Sequence, residues 1–106
     1  MKRQRQAKII ATLGPSSRTA AQIKALYHAG ADVFRLNFSH GSHYDHLRSY
    51  QIIRQLELEV QSPIGILMDL QGPKLRIGTF VDDSAKLKTG NTFRLDMDDT
   101  PGTEER

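Results

Sequence analysis

Asp32-Val33-Phe34-Arg35-Leu36-Asn37-Phe38 is the stretch from which the fold can be read. Successive side chains of a strand leave on opposite faces, so Phe34, Leu36 and Phe38 share one side while Val33, Arg35 and Asn37 share the other. Such a strand offers a greasy face to a helix layer and a second face carrying a guanidinium and an amide. Upstream, Thr19 and Gln22 have capping-box spacing, Ile23, Leu26 and Tyr27 fall on one helical face, and Gly30 stands where a left-handed helix end belongs. Before that helix, Lys8-Ile9-Ile10-Ala11-Thr12-Leu13 reads as a buried strand closed by Gly14-Pro15. Downstream, Ser42 and Asp45 offer a second N-terminal cap, and Leu47, Tyr50, Ile53, Leu56 and Val60 trace a stripe that Ser62-Pro63 ends. Ile64-Gly65-Ile66-Leu67-Met68-Asp69 is almost wholly apolar, as expected of a parallel strand covered on both faces.

Residues 8–69 therefore read β-α-β-α-β with short connections, an α/β pattern that implies a parallel sheet with right-handed crossovers. Sheets of this kind bind ligands at the carboxyl ends of their strands, where Thr12, Asn37, Ser39 and Asp69 collect. After Gly72-Pro73 the pattern changes: 75–81, 85–88 and 92–97 are short strand-like runs separated by Asp82-Asp83 and Gly90-Asn91. The division expected is 1–73 for the α/β part and 74–106 for the beginning of an all-β unit.

Composition narrows the function classes. Hydrophobic residues are 38% and charged residues 25% of the 106, the balance of a folded globular chain and not of a disordered one. No stretch approaches the roughly 20 apolar residues of a membrane span. The front, Met1-Lys2-Arg3-Gln4-Arg5-Gln6, is charged like that of a secretion signal, but no apolar core follows it, so a cytoplasmic location is expected. The absence of cysteine excludes disulfides and thiolate metal sites. The net charge of +3 raises nucleic acid as a partner, yet the basic residues beyond Lys2, Arg3 and Arg5 form no run and no stripe with interleaved aromatics; neither nucleic acid nor a membrane is expected to bind.

Arg35, Asn37 and Ser39 present a guanidinium, an amide and a hydroxyl together, a set suited to an oxyanion or a cation; the planar fork of arginine matches phosphate with two parallel hydrogen bonds. The alternative is Arg35 pairing with a carboxylate inside the sheet, with Asn37 and Ser39 as turn residues. His40, His43 and His46 recur every third residue, but no carboxylate or thiolate completes a transition-metal set, and they also read as polar residues at a helix entrance.

The string Arg35-Leu36-Asn37-Phe38-Ser39-His40-Gly41 resembles the signature of the pyruvate kinase family. Lys8-Ile9-Ile10-Ala11-Thr12-Leu13-Gly14-Pro15-Ser16-Ser17 is similar to that family's first strand, and Asp69-Leu70-Gln71-Gly72-Pro73-Lys74-Leu75-Arg76 to its link into an inserted β domain. The resemblance implies the first three strands of a (β/α)8 TIM barrel followed by the start of an inserted all-β domain, and phosphoryl transfer between phosphoenolpyruvate and ADP giving pyruvate and ATP. It implies that Arg35 holds the transferring phosphoryl group; that Asn37, Ser39, Asp69 and the carbonyl of Leu70 hold K+; and that Asn37, Phe38, Ser39, His40 and Arg76 line the nucleotide. Against these stand plainer roles: Asp69 as a helix cap, Ser39 as a turn cap and Arg76 as a solvated strand residue.

Lys74 departs from the pattern, since many members carry glutamate there; its ammonium is expected to take over the electrostatic role of K+. No segment matches the family's Mg2+ carboxylates or its catalytic lysine, so the chain alone is expected to be inactive, with open sheet edges. The resemblance also implies a homotetramer at full length. The alternatives are a non-catalytic phosphate-binding or interaction module of the same family and another phosphoenolpyruvate-handling barrel such as an aldolase, which would lack the Gly72-Pro73 junction.

Overall fold

The computed structural model describes residues 3–106. Two compact units are present, Met1–Gly72 and Pro73–Arg106. In the first, the order is β1 (Ile10–Leu13), a 3-10 turn (Pro15–Ser17), α1 (Ala20–Ala29), β2 (Val33–Asn37), α2 (His43–Val60) and β3 (Gly65–Asp69). The strands form a parallel sheet in the order β1-β2-β3. Ile10 pairs with Val33 and Leu13 with Leu36 on one side of β2; Val33 pairs with Gly65 and Asn37 with Asp69 on the other.

Local sequence signals set the element ends. The Thr19 hydroxyl accepts from the Gln22 N–H while the Gln22 side chain accepts from the Thr19 N–H, which satisfies two of the donors that a helix start leaves free. Ser42 and Asp45 repeat the arrangement at α2. Gly30 closes α1 at φ +128°, and its N–H donates to Leu26 and Tyr27 carbonyls. Beyond α2, Glu57 accepts from the Ile64 N–H at 2.8 Å and Arg54 donates to both Glu57 and the Ile64 carbonyl, fixing the approach to β3.

The core lies between the sheet and both helices. Phe34, Ile23 and Ile53 are fully buried, joined by Leu13, Tyr27, Leu36, Leu56 and Ile64. The alternation expected of β2 is present: Phe34 and Leu36 are buried while Val33, Arg35 and Asn37 are half-buried on the other face. Two expectations are corrected. The buried stripe of α2 is His46, Ser49, Ile53 and Leu56, whereas Leu47 and Tyr50 are exposed; the inward face at the start of the helix is taken by His46, which stacks on Phe38. β3 is not covered on both faces: it is an edge strand, with Leu67 and Met68 largely exposed.

The described part of the basic front is structural. Arg3 Nε and Arg5 Nη1 each donate to the Asp32 carboxylate at 2.8 Å, and that carboxylate also accepts from the Ile9 N–H at 2.8 Å. Arg3 Nη2 reaches the Tyr27 and Ala31 carbonyls, and Arg5 Nη2 the Gly30 carbonyl, so two guanidiniums cap the carbonyls at the end of α1. Met1 and Lys2, the rest of that front, lie outside the described residues.

In the second unit the expected strands at 75–81, 85–88 and 92–97 do not form. A single bridge pairs Phe80 with Gly102, and the Arg94 N–H donates to the Glu105 carbonyl. The turns fall where the punctuating residues stand, at Asp83 (φ +59°) and Gly90 (φ +91°). Alternation makes a strand only where a partner ladder and a facing surface exist, and here Leu75, Ile77, Leu95 and Met97 stay exposed.

Two outcomes follow from these contacts. Ile53→Ala lowers unfolding free energy by about 2–5 kcal/mol, whereas Leu47→Ala changes it by less than about 0.5 kcal/mol, read by urea titration of the full-length gene product. The Asp32 carboxyl is lowered from 3.8 to about 2, first by the Ile9 N–H and then by Arg5. A carboxyl held below its unfolded value contributes stability that is complete above the unfolded value of 3.8 and fades as pH falls toward about 2. Stability of Asp32→Asn measured across that window declines less steeply with acid than that of the parent.

Candidate functional site

Parallel pairing brings three side chains of three strands to one place on the open sheet face. Thr12 stands opposite Arg35 in the β1–β2 register, and Asn37 opposite Asp69 in the β2–β3 register, one residue pair beyond the Arg35 row on that face. Arg35 Nη1 donates to the Thr12 hydroxyl at 3.2 Å, Nε donates to Asp69 Oδ2 at 2.9 Å, and Nη2 donates to the same oxygen. The guanidinium is thereby held in one plane from two sides. A guanidinium has five N–H groups, so these bonds leave one on Nη1 and one on Nη2. Arg35 is 29% exposed, enough for an incoming anion to reach them.

The same contacts realise part of the plainer reading, in which Arg35 pairs with a carboxylate. Both of its bonds to Asp69 fall on Oδ2, so Oδ1 is left to another partner. Asn37 Oδ1 accepts from the Ser39 N–H at 3.0 Å, and the His40 N–H donates to the Asn37 carbonyl at 3.2 Å, making Asn37 the organiser of the turn that follows β2. The Phe38 N–H continues toward β3 by donating to the Asp69 carbonyl at 2.9 Å.

Asn37, Ser39, Asp69 and Leu70 thus lie at the carboxyl ends of β2 and β3 or just beyond them. Their oxygens are an amide, a hydroxyl, a carboxylate and a main-chain carbonyl, the donor chemistry of a hard monovalent cation such as K+. Mg2+ does not fit in the same way: Asp69 is the one carboxylate of this group and Arg35 already pairs with it, and among the described residues no group of three or more His, Asp or Glu stands ready to hold a metal. Of the histidine triad, His46 is buried, with its ring 4.3 Å from Phe38 in a stacked arrangement, while His40 and His43 are exposed. Lys74 and Arg76 belong to the second unit.

Three residues carry more of this arrangement than their sequence signals assigned them. Thr12 was one polar residue among several at the strand ends, and only the register shows that it holds Arg35. Arg18 reaches Asp45 at 3.3 Å, tying the segment after β1 to the start of α2, with no sequence signal to announce it. The Asp45 carboxyl sits below its ordinary value, first because the Ser42 N–H donates to it and then through the Ser42 hydroxyl and the Arg18 charge.

The fold defines a class: a parallel α/β unit with an arginine, an acidic residue and a polar turn gathered toward the carboxyl ends of its strands, the end at which such sheets bind ligands. Residues 4–106 match the family model described as the pyruvate kinase barrel domain. The chain belongs to the pyruvate kinase family. It is 57% identical over 106 residues to a pyruvate kinase of Methylorubrum extorquens, covering all of this chain and 22% of that protein. It is 46% identical over 103 residues to a pyruvate kinase of Corynebacterium efficiens, covering 97% of this chain and 22% of the other. Among solved structures, the pyruvate kinase of Cryptosporidium parvum superimposes with a TM-score of 0.77 at 36% identity, over 96% of this chain and 21% of that one. The same organism's enzyme in complex with ADP gives 0.76 at 37%, with the same coverages. The chain therefore spans about a fifth of the length of the relatives it matches.

Proposed function

We propose that this segment supplies the phosphoryl-holding arginine and the monovalent-cation oxygens of a pyruvate kinase, within a (β/α)8 barrel whose first three strands are β1 to β3 and which is interrupted by a β domain beginning near residue 74. The reaction moves the phosphoryl group of phosphoenolpyruvate to a terminal phosphate oxygen of ADP; the enol C–O–P linkage breaks at phosphorus, and the enolate left behind is protonated to pyruvate. The observation that carries the reading is the guanidinium of Arg35, clamped by Thr12 and Asp69 with two N–H groups to spare.

Phosphoryl transfer needs positioning and charge neutralisation more than covalent help. Arg35 would meet the phosphoryl oxygens with hydrogen-bond donors already fixed in direction, so little reorganisation is needed as negative charge spreads over them. Asn37 shapes the turn that presents Ser39 and His40 to the nucleotide phosphates. A monovalent cation held by Asn37, Ser39, Asp69 and the Leu70 carbonyl would supply further positive charge beside the transferring group. Arg76 joins the nucleotide side on the strength of the sequence motif.

The full-length gene product is the material for the test, assayed for pyruvate formation from phosphoenolpyruvate and ADP. Arg35→Met is expected to lower kcat/KM by roughly a hundredfold to a thousandfold, the loss that follows removal of one preorganised donor; an unchanged value rejects the proposed role. Lys74 supports a second expectation: activity of the parent is independent of added K+, and Lys74→Glu makes it depend on K+. A parent enzyme that K+ activates many-fold shows that Lys74 does not replace the ion.

A further inference from the structure

Inside the first unit, the turn between β2 and α2 is shaped from below by a residue that the phosphoryl site does not use. His46 lies on the first turns of α2 and is only 8% exposed. Its ring stacks on Phe38 with centroids 4.3 Å apart and planes 22° from parallel, and its Nε2 sits 2.7 Å from the His40 carbonyl oxygen. A carbonyl can only accept, so Nε2 carries the proton. The two contacts grip the turn at both ends of Phe38-Ser39-His40, one through a side chain and the other through the main chain.

The neighbouring glycine packs against the same imidazole. Gly41 has φ +75°, and a Cβ there would lie 3.1 Å from Arg18 Nη2 and 3.5 Å from His46 Nε2. The distance to the imidazole is an ordinary van der Waals contact and the tighter approach is to the end of the Arg18 side chain, so it is the positive φ that favours glycine here. The His40 ring faces solvent while its carbonyl is drawn inward, and a planar trans peptide then fixes the direction of the Gly41 N–H as well.

We infer that His46 is a positioning residue for nucleotide binding: by stacking under Phe38 and donating from Nε2 to the His40 carbonyl, it holds Ser39 and His40 where the nucleotide phosphates are received. Arg35 is clamped separately, by Thr12 and Asp69, so His46 bears on the nucleotide and not on the phosphoenolpyruvate side. The inference rests on the proposed function, which assigns Ser39 and His40 to the nucleotide.

The test compares His46→Phe, which keeps a flat ring against Phe38 but has no donor, with His46→Gln, whose amide nitrogen reaches about as far as Nε2. In the full-length gene product, His46→Phe is expected to raise KM for ADP about three- to tenfold, the range set by loss of one net hydrogen bond. KM for phosphoenolpyruvate stays within about twofold, and His46→Gln recovers most of the ADP affinity. Equal effects on both substrates, or no recovery with glutamine, overturn the inference, since a merely structural role would move both together. Parent and Arg35→Met activities are measured alongside: an inactive parent refutes the proposed function, whereas an active parent with an unchanged KM for ADP in His46→Phe refutes the positioning role alone. Should His46→Phe fail to fold, the parent still decides: nitrogen NMR of His46 is expected to show the Nε2–H form, and the Nδ1–H form overturns the inference.

Discussion

Burial of Phe34 and Leu36 is the constraint on which the rest of the first unit depends. Both side chains enter the space between sheet and helices, where Ile23, Tyr27, Ile53 and Leu56 close around them. Removing that much apolar surface from water is the main favourable term available to so small a unit. Because side chains alternate along a strand, it also forces Arg35 and Asn37 onto the opposite face. A slip of one residue would bury a guanidinium and expose a phenyl ring, so hydrophobic packing enforces the register that the polar face requires. The placement of Arg35 and Asn37 on the open face is in this sense a by-product of where the core lies.

What was legible in the sequence was local. Capping boxes at Thr19 and Ser42 and the glycine at the end of α1 declare themselves within four residues, and they stand where the pattern put them. The alternation of β2 was legible for the same reason. What escaped depends on residues far apart in the chain. Arg3 and Arg5 close on Asp32 across more than twenty-five positions, so composition showed only a basic front. The face of α2 was misjudged because apolar periodicity favours Leu47 and Tyr50, whereas a stacking partner and a carbonyl acceptor from the preceding turn draw a polar histidine inward. In the second unit, alternating residues indicate which face a strand would bury once it is paired, and pairing is what the pattern cannot supply.

Two opposite ends of the sheet use arginine in different ways. At the amino end Arg3 and Arg5 spend their donors on Asp32 and on helix-end carbonyls, and the Asp32 carboxylate is fully engaged in return. That cluster ties the segment before β1 to the end of α1. At the carboxyl end Arg35 has one carboxylate oxygen and one hydroxyl, which orient the fork without saturating it. Each of these guanidiniums makes three hydrogen bonds, and what differs is the partner: Arg3 and Arg5 reach main-chain carbonyls as well as Asp32, whereas Arg35 bonds only to side chains on the open sheet face.

Charge balance carries the proposed chemistry one step further. Arg35 and Asp69 together are neutral, and a phosphoryl group brings a charge of about −1.5 to −2 at neutral pH. In the proposed reading an arriving phosphoryl group would therefore leave excess negative charge beside Arg35 and Asp69. Moving the carboxylate away would leave the guanidinium less firmly held, and directional donors matter more in phosphoryl transfer than raw attraction. The better resolution is to keep Asp69 in place and add a cation to the oxygens that Arg35 does not use, Oδ1 of Asp69 among them. In the proposed reading a potassium ion would do this by coordination, and an ammonium group would do it by hydrogen bonding. Ion and ammonium would then be two answers to one electrostatic requirement, which the pairing of Arg35 with Asp69 itself creates.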